Sequence, residues 1–286
     1  MQIINKNIKI LIVGLGLIGG SYAKALRKKG FYVTAITNDQ KSIDYALNEK
    51  IIDEGYDYVN EKAVSDAELV VFALYPNVFV EWVKQHGHLF SKGTIITDVT
   101  GVKQCIVYDI QNSLPQGVEF IAAHPMAGKE VYGVENSDDK IFEGANYIVV
   151  PTEKNTPEAI ETCKDLGKVM GFNRISVLSP EEHDKMIGFV SQLTHVIAVG
   201  LMTCSDNEHL VDYTGDSFRD LTRIARINEN MWSELFMLNK DALLKQFDTF
   251  IEECNTLRTM IKEEDTERLK EKMRLSTKRR SLFDKK

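Results

Sequence analysis

The 286-residue chain is long enough for two domains, or one large one, and for a sizeable core. Apolar residues at 43% and charged residues at 27% are ordinary values for a folded globular protein, and a net charge of −7 argues against general affinity for nucleic acid or anionic membrane. Cys105, Cys163, Cys204 and Cys254 are widely separated and form no CxxC pair, so they are read as reduced thiols of a cytoplasmic protein rather than a zinc site or disulfide framework.

In chain order, the first apolar run is Ile8–Val13. It is too short, and too soon followed by Gly14, to be a secretory h-region. No apolar run is read as nearing the ~20 residues that span a bilayer. Further strands are expected at Tyr32–Ile36, Leu69–Leu74, Thr94–Asp98, Phe120–Ala123 and Tyr147–Val150, with helical patterns between most of them. This alternation implies βαβ units and a mostly parallel sheet, covered on both faces because its strands are almost wholly apolar. Past Leu178 the pattern turns helical. Ser179-Pro180-Glu181-Glu182 reads as a helix start, with serine as cap, proline at the first position and acids in the first turn. Helices are expected to Ser276, with breaks at Asp206–Glu208 and Thr214–Ser217. The basic end, Lys278 to Lys286, is expected to fray. The expected architecture is an α/β Rossmann-type dinucleotide-binding domain over residues 1–178 and an all-helical domain over 179–286. By analogy, such an appendage pairs two subunits.

Gly14-Leu15-Gly16-Leu17-Ile18-Gly19 directly follows the first strand and opens a helix. In that context the three glycines serve the tight turn, the close approach of a pyrophosphate, and helix–strand packing, while the helix N-terminus offers free N–H groups to phosphate. An acid for the ribose diol is expected about 20 residues on. The segment there is Thr37-Asn38-Asp39-Gln40-Lys41. Asp39 reaches the ribose if the strand runs slightly long; Thr37, Asn38 and Lys41 could instead tolerate a 2′-phosphate. NAD and NADP both stay open, with NAD favoured. His124 falls just after a strand, where open α/β sheets place their ligands, and a neutral imidazole there could accept a proton. The competing reading is a histidine that merely caps a strand.

Four segments resemble the prephenate and arogenate dehydrogenases: Gly14 to Ser21, His124-Pro-Met-Ala-Gly-Lys-Glu130, Ser191-Gln-Leu-Thr-His-Val-Ile-Ala198 and Phe218-Arg-Asp-Leu-Thr-Arg-Ile-Ala225, followed by Asn230-Met-Trp232. Their order and spacing match from about residue 8 to 275. The resemblance implies a Rossmann domain with a helical dimerisation domain. It also implies oxidative decarboxylation of prephenate to 4-hydroxyphenylpyruvate, or of arogenate to tyrosine, with hydride passing to NAD(P)+. It makes His124 the acceptor of the substrate hydroxyl proton and places Ser191 and His195, i and i+4 on one helical face, near the substrate side chain and nicotinamide. His195, read as a hydrogen-bond donor to a pyruvyl ketone, favours prephenate.

Arg223 is the expected carboxylate ligand, in an ionic network with Glu130 and Asp220 at the pocket entrance. Arg219, Arg223 and Arg226, at i, i+4 and i+7, are expected on one helix face, with Arg223 in a desolvated charge pair. His183 and His209 match no motif position and are read as surface residues. The sequence departs from the family at Asp98-Val-Thr-Gly-Val-Lys103, where Gly101 stands in place of a serine; Thr100 is then expected to supply the hydroxyl. No further domain is expected, so feedback by tyrosine, if present, would act at the active site. Other readings are a β-hydroxyacid dehydrogenase or imine reductase, for which Lys185 would have to act as acid/base, and a dinucleotide sensor without catalysis. The ligand is a small molecule, with neither nucleic acid nor membrane as partner, and the assembly a homodimer through the helical domain.

Overall fold

The computed structural model describes residues 4–283. The chain divides into two compact units, Met1–Asn239 and Lys240–Lys286.

The first unit is built on a six-stranded parallel sheet. Its strands are β1 (Ile10–Val13), β2 (Val33–Ile36), β3 (Glu54–Tyr56), β4 (Leu69–Phe72), β5 (Ile95–Asp98) and β6 (Glu119–Phe120). They lie in the order β3-β2-β1-β4-β5-β6, the doubly wound arrangement of dinucleotide-binding domains. β1 and β4 are buried along their whole length, as strands covered by helices on both faces must be. The helices are α1 (Leu17–Lys28), α2 (Gln40–Asn48), α3 (Glu61–Asp66), α4 (Pro76–His86) and α5 (Val107–Ser113). One core layer gathers Ile10, Ile12, Tyr22, Leu26 and Val33; the other gathers Leu11, Val13, Val70, Phe72 and Phe79.

The expectation of one mostly parallel sheet needs correction. A second sheet holds β7 (Ala122–Met126), β8 (Asn146–Val150) and β9 (Arg174–Val177), with β7 antiparallel to β8. The expected strand Phe120–Ala123 straddles both sheets. Ile121 donates to the Ile96 carbonyl at 2.9 Å, and the Ala123 amide then donates to the Asp98 carboxylate at 3.0 Å instead of to a strand carbonyl. That substitution carries the chain past the end of β5 and sets His124 at the carboxyl end of the parallel sheet. The short strands β3 and β9 were not anticipated.

After α6 (Pro157–Met170) and β9, a capping box starts α7 (Pro180–Ile187): the Ser179 side chain accepts from the Glu182 amide, while the Glu182 carboxylate takes the Ser179 amide. The helix continues through a π-helical turn, Gly188–Leu193, into α8 (Thr194–Thr203). Together Pro180–Thr203 is long and apolar enough to cross a membrane by length and composition, which overturns the expectation that no stretch reaches that length. Its buried polar residues His183, Asp184 and Gln192 instead tie it into this folded unit. The unit ends with α9 (Leu210–Tyr213), α10 (Asp216–Thr222) and α11 (Glu229–Leu238).

Because Asn239 donates to the Asp184 carbonyl at 2.9 Å and Gln192 to the Leu235 carbonyl at 3.0 Å, residues 180–239 pack within the first unit. The contact division therefore falls well beyond the 178/179 boundary expected from the change to helical pattern.

The second unit is a helical hairpin of α12 (Lys240–Lys262) and α13 (Thr266–Arg280). Glu264 takes a left-handed conformation (φ 55°) in the turn, and Asp265 caps α13 by accepting from the Arg268 amide. The basic segment expected to fray from Lys278 is helical to Arg280; residues 284–286 lie outside the described residues.

Candidate active site

Gly14 bonds through its amide to the Ile36 carbonyl at 2.7 Å and has φ +100°, which favours glycine. A Cβ on Gly19 would lie 1.9 Å from the Gly14 carbonyl oxygen, so only glycine lets α1 approach β1 this closely. A Cβ on Gly16 would meet nothing within 4 Å. The open space falls at the start of α1, whose first turn has no side-chain cap. Unpaired amides facing open space at a helix N-terminus suit a pyrophosphate, so the residues present fit a dinucleotide. Leu15 is a core residue, 3% exposed, and can contribute only its backbone; Leu17 and Ile18 are the first residues of α1.

β2 does not run long. It ends at Ile36, Thr37 donates its amide to the Tyr56 carbonyl, and Asp39 caps α2 by accepting from the Lys41 and Ser42 amides and the Ser42 hydroxyl. These bonds, the Ser42 hydroxyl first, hold the Asp39 carboxyl below its ordinary range. Asp39 is exposed, and its carboxylate has acceptor capacity beyond these three bonds.

His124 lies mid-strand in β7, opposite Ile148, and is partly buried. Its Nδ1 is 2.9 Å from Nε2 of His183, whose Nδ1 is 2.7 Å from an Asp184 carboxylate oxygen. Asp184 also accepts from the amides of Lys103 (2.9 Å) and Gln104 (2.8 Å). Burial, then the neighbouring His183 and Lys103, push the His124 pKa well below its ordinary value, so the ring is neutral and able to accept. His183 is fully buried, which corrects its reading as a surface histidine; His209 is exposed.

The loop after β5 is a buried polar lattice. Lys103 Nζ donates to Asp98 (2.6 Å), to the Ala123 carbonyl (2.6 Å) and to the Thr100 hydroxyl (3.1 Å). The Thr100 hydroxyl faces the Asp98 carboxylate and the Val102 carbonyl and is 4% exposed. It is committed inside this lattice, so the expectation that Thr100 offers its hydroxyl to the reacting group gives way to a role in holding the loop. Gly101 has no such commitment: a Cβ there would sit 3.4 Å from a Leu235 methyl and 3.9 Å from His124 Cε1. The space the family serine would fill thus adjoins the His124 ring.

A second cluster forms around α8. His195 stacks on Trp232 of α11, with ring centroids 3.6 Å apart. Its Nδ1 is 2.9 Å from the Ser191 carbonyl, one turn back across the end of the π-helical segment. A carbonyl only accepts, so Nδ1 carries the proton and Nε2 of the neutral ring is an acceptor. Burial lowers the His195 pKa, against an opposing effect from the Ser191 bond. The expected donor to a ketone is therefore an acceptor. Glu130 and Arg223 both act electrostatically on His195 and form an ion pair with each other.

The Arg223–Glu130 pair is there, but Arg223 is 64% exposed, not desolvated. Asp220 is exposed and forms no ion pair among the described residues, so the three-membered network reduces to two. The three arginines do not share a helical face either: α10 stops at Thr222, Arg223–Ala225 is a 3-10 turn, and Arg219 pairs with Asp216. α11 serves both clusters, with Trp232 against His195 and Leu235 beside Gly101. Sequence reasoning noted Trp232 only as a motif residue and missed His183 and Asp184.

The nucleotide-binding domain of prephenate dehydrogenase matches residues 22–176, and its dimerization domain matches residues 179–275. The chain is 33% identical over 268 residues to a prephenate dehydrogenase of Bacillus subtilis, covering 91% of this chain and 72% of that one. A cyclohexadienyl dehydrogenase of Zymomonas mobilis is 30% identical, over 95% and 94% of the two chains. Among solved structures, prephenate dehydrogenase from A. aeolicus, in complex with hydroxyphenyl propionate and NAD+, superposes with a TM-score of 0.88 at 32% identity, covering 97% of this chain and 98% of that one. Motif, fold and site geometry agree with these matches, and the chain belongs to the prephenate dehydrogenase family.

Proposed function

We propose that the protein carries out NAD+-dependent oxidative decarboxylation of prephenate to 4-hydroxyphenylpyruvate, on the route to tyrosine. The observation that carries this reading is His124: a neutral, partly buried imidazole at the carboxyl end of the parallel sheet of a dinucleotide-binding fold. The bound dinucleotide supplies the hydride acceptor. His124 takes the proton of the substrate C4 hydroxyl as hydride leaves C4. CO₂ departs, its bonding electrons complete the aromatic ring, and the proton returns from His124 to the phenolic oxygen, so no net proton is produced. Arg223 binds a substrate carboxylate with its forked guanidinium, exchanging part of its contact with Glu130. Ser191 and His195 face the substrate side chain in this reading, Asp39 the adenosine ribose, and residues 1–178 and 179–286 act as dinucleotide and helical modules. The assembly is a homodimer in the cytoplasm.

One observation favours a second substrate. His195 presents an acceptor at Nε2, which suits the ammonium group of arogenate better than a ketone. The decisive assay mixes purified protein with prephenate or arogenate and NAD+ or NADP+, and follows absorbance of the reduced nicotinamide. Turnover with prephenate and NAD+ is the expected result. Faster turnover with arogenate would keep the mechanism and reassign the side-chain pocket. Folded protein that binds NADH but reduces cofactor with neither substrate would overturn the reading.

A further inference from the structure

We propose that His183 and Asp184 are positioning residues that fix the tautomer of His124, so that its Nε2 presents a lone pair to the substrate hydroxyl. This rests on His124 being the proton acceptor, and it follows from the direction of each hydrogen bond. The backbone amides of Lys103 and Gln104 can only donate, and both end on the Asp184 carboxylate. Asp184 is therefore the acceptor at the end of the chain, and His183 Nδ1, 2.7 Å away, carries a hydrogen. In the neutral His183 ring that leaves Nε2 bare. His124 Nδ1, 2.9 Å from that bare nitrogen, must then donate. With its hydrogen on Nδ1, neutral His124 has its lone pair on Nε2.

The surroundings enforce this order. His183 is fully buried and Asp184 2% exposed, so neither can exchange its partner for water. Lys103, its ammonium held by Asp98, lies close enough to disfavour a positive charge on either imidazole. Asp184 is the anion bonded to the pair among the described residues, and with Asp98 it partly offsets this effect at His183. The device spans three elements: β7 supplies His124, α7 supplies His183 and Asp184, and the loop after β5 supplies the two amides. The capping box at Ser179 and Glu182 sets the register of α7, and with it the direction of His183 in the first turns of that helix.

The test reads the tautomer directly and separately from activity. Nitrogen-15 NMR of histidine-labelled protein, with His124 assigned by the signals lost in His124→Asn, should show His124 protonated at Nδ1 and bare at Nε2. His183→Leu removes the acceptor, and both tautomers of His124 become accessible. His183→Gln keeps an oxygen that can accept from Nδ1. The expected result is a loss of kcat in the Leu variant of on the order of 10²-fold, the lower end of what general-base catalysis contributes. The Gln variant should regain most of that loss, NAD+ affinity should stay near native in both, and the Leu variant should melt below the Gln variant, because it leaves the buried Nδ1–H of His124 without an acceptor. An Nε2-protonated His124 in the native protein would overturn the proposal whatever the activities. So would a folded Leu variant with native kcat, or Gln no better than Leu. If His124→Asn itself left kcat intact, the proton-acceptor reading would fail instead, and the tautomer spectrum would still stand as measured.

Discussion

Arg223 holds its guanidinium at the surface, beside Glu130 and without close packing. Exposed pairs of this kind contribute roughly 0–1 kcal/mol to stability, so the pair does not hold the fold together. It keeps a forked cation within electrostatic reach of His195, ready to exchange one carboxylate for another. Arg223→Ala should therefore leave the melting temperature almost unchanged and raise KM for prephenate about tenfold or more, the value of a hydrogen bond to a charged group. Initial rates over a range of prephenate concentration check this, and an unchanged KM would remove Arg223 from the substrate site. The pairing of Arg223 with Glu130 was legible in the sequence because the motifs that hold them are specific. His183 was not, because a histidine is buried or exposed according to what its helix packs against. Here His183 meets His124, and its neighbour Asp184 takes the amides of Lys103 and Gln104, some eighty residues away in the chain. The Thr100 hydroxyl was misplaced for a different reason: its partners Asp98, Val102 and Lys103 are local, but only the burial of the lysine makes them close on one another.

At the scale of elements, the glycine turn and α1 are the part of the fold whose geometry fits a dinucleotide. Gly19 sits where the helix backbone meets the Gly14 carbonyl, and the added methyl of alanine would need at least an ångström of separation that neither backbone can easily supply. Overpacking of this kind costs roughly 1–3 kcal/mol, and relief by lifting α1 would move its free amides off the pyrophosphate. Gly19→Ala is expected to lower the melting temperature and weaken NAD+ binding together, as titration by protein fluorescence would show. Native affinity in the variant would mean that α1 does not set the pyrophosphate position. The strand–glycine–helix pattern was legible because period and turn chemistry are local. The π-helical turn at Gly188–Leu193 and the 3-10 break after Thr222 were not. Each shifts hydrogen bonding by one residue without a change of composition, and each bears on a side chain that we propose meets the substrate, His195 in one case and Arg223 in the other. The division into two sheets escaped for a related reason: Asp98 takes the Ala123 amide in place of a strand carbonyl, and an aspartate at a strand end has many other uses.

The whole molecule leaves apolar surface that a single chain does not cover. Along Pro180–Thr203, Met186, Phe189, Val190 and Met202 are each more than 40% exposed. In the separate hairpin unit, Leu244, Ile251 and Ile261 are exposed as well. Exposed apolar side chains of this kind on each unit mark an interface, and the segment matched by the dimerization domain spans all of these residues. A second copy of the chain is the occupant in our reading, which also accounts for a helix apolar enough for a membrane whose surface this chain leaves largely uncovered. Light scattering behind size exclusion should give twice the 32.4 kDa chain mass across the micromolar range. Because only the folded state dimerises, the melting temperature should rise with protein concentration. Met202→Glu places a charge on that surface, about two helical turns beyond His195, and should shift the mass toward one chain while leaving the fold of each chain intact. A native protein that stays monomeric at every concentration, with a melting point that does not move, would require a different partner for this face.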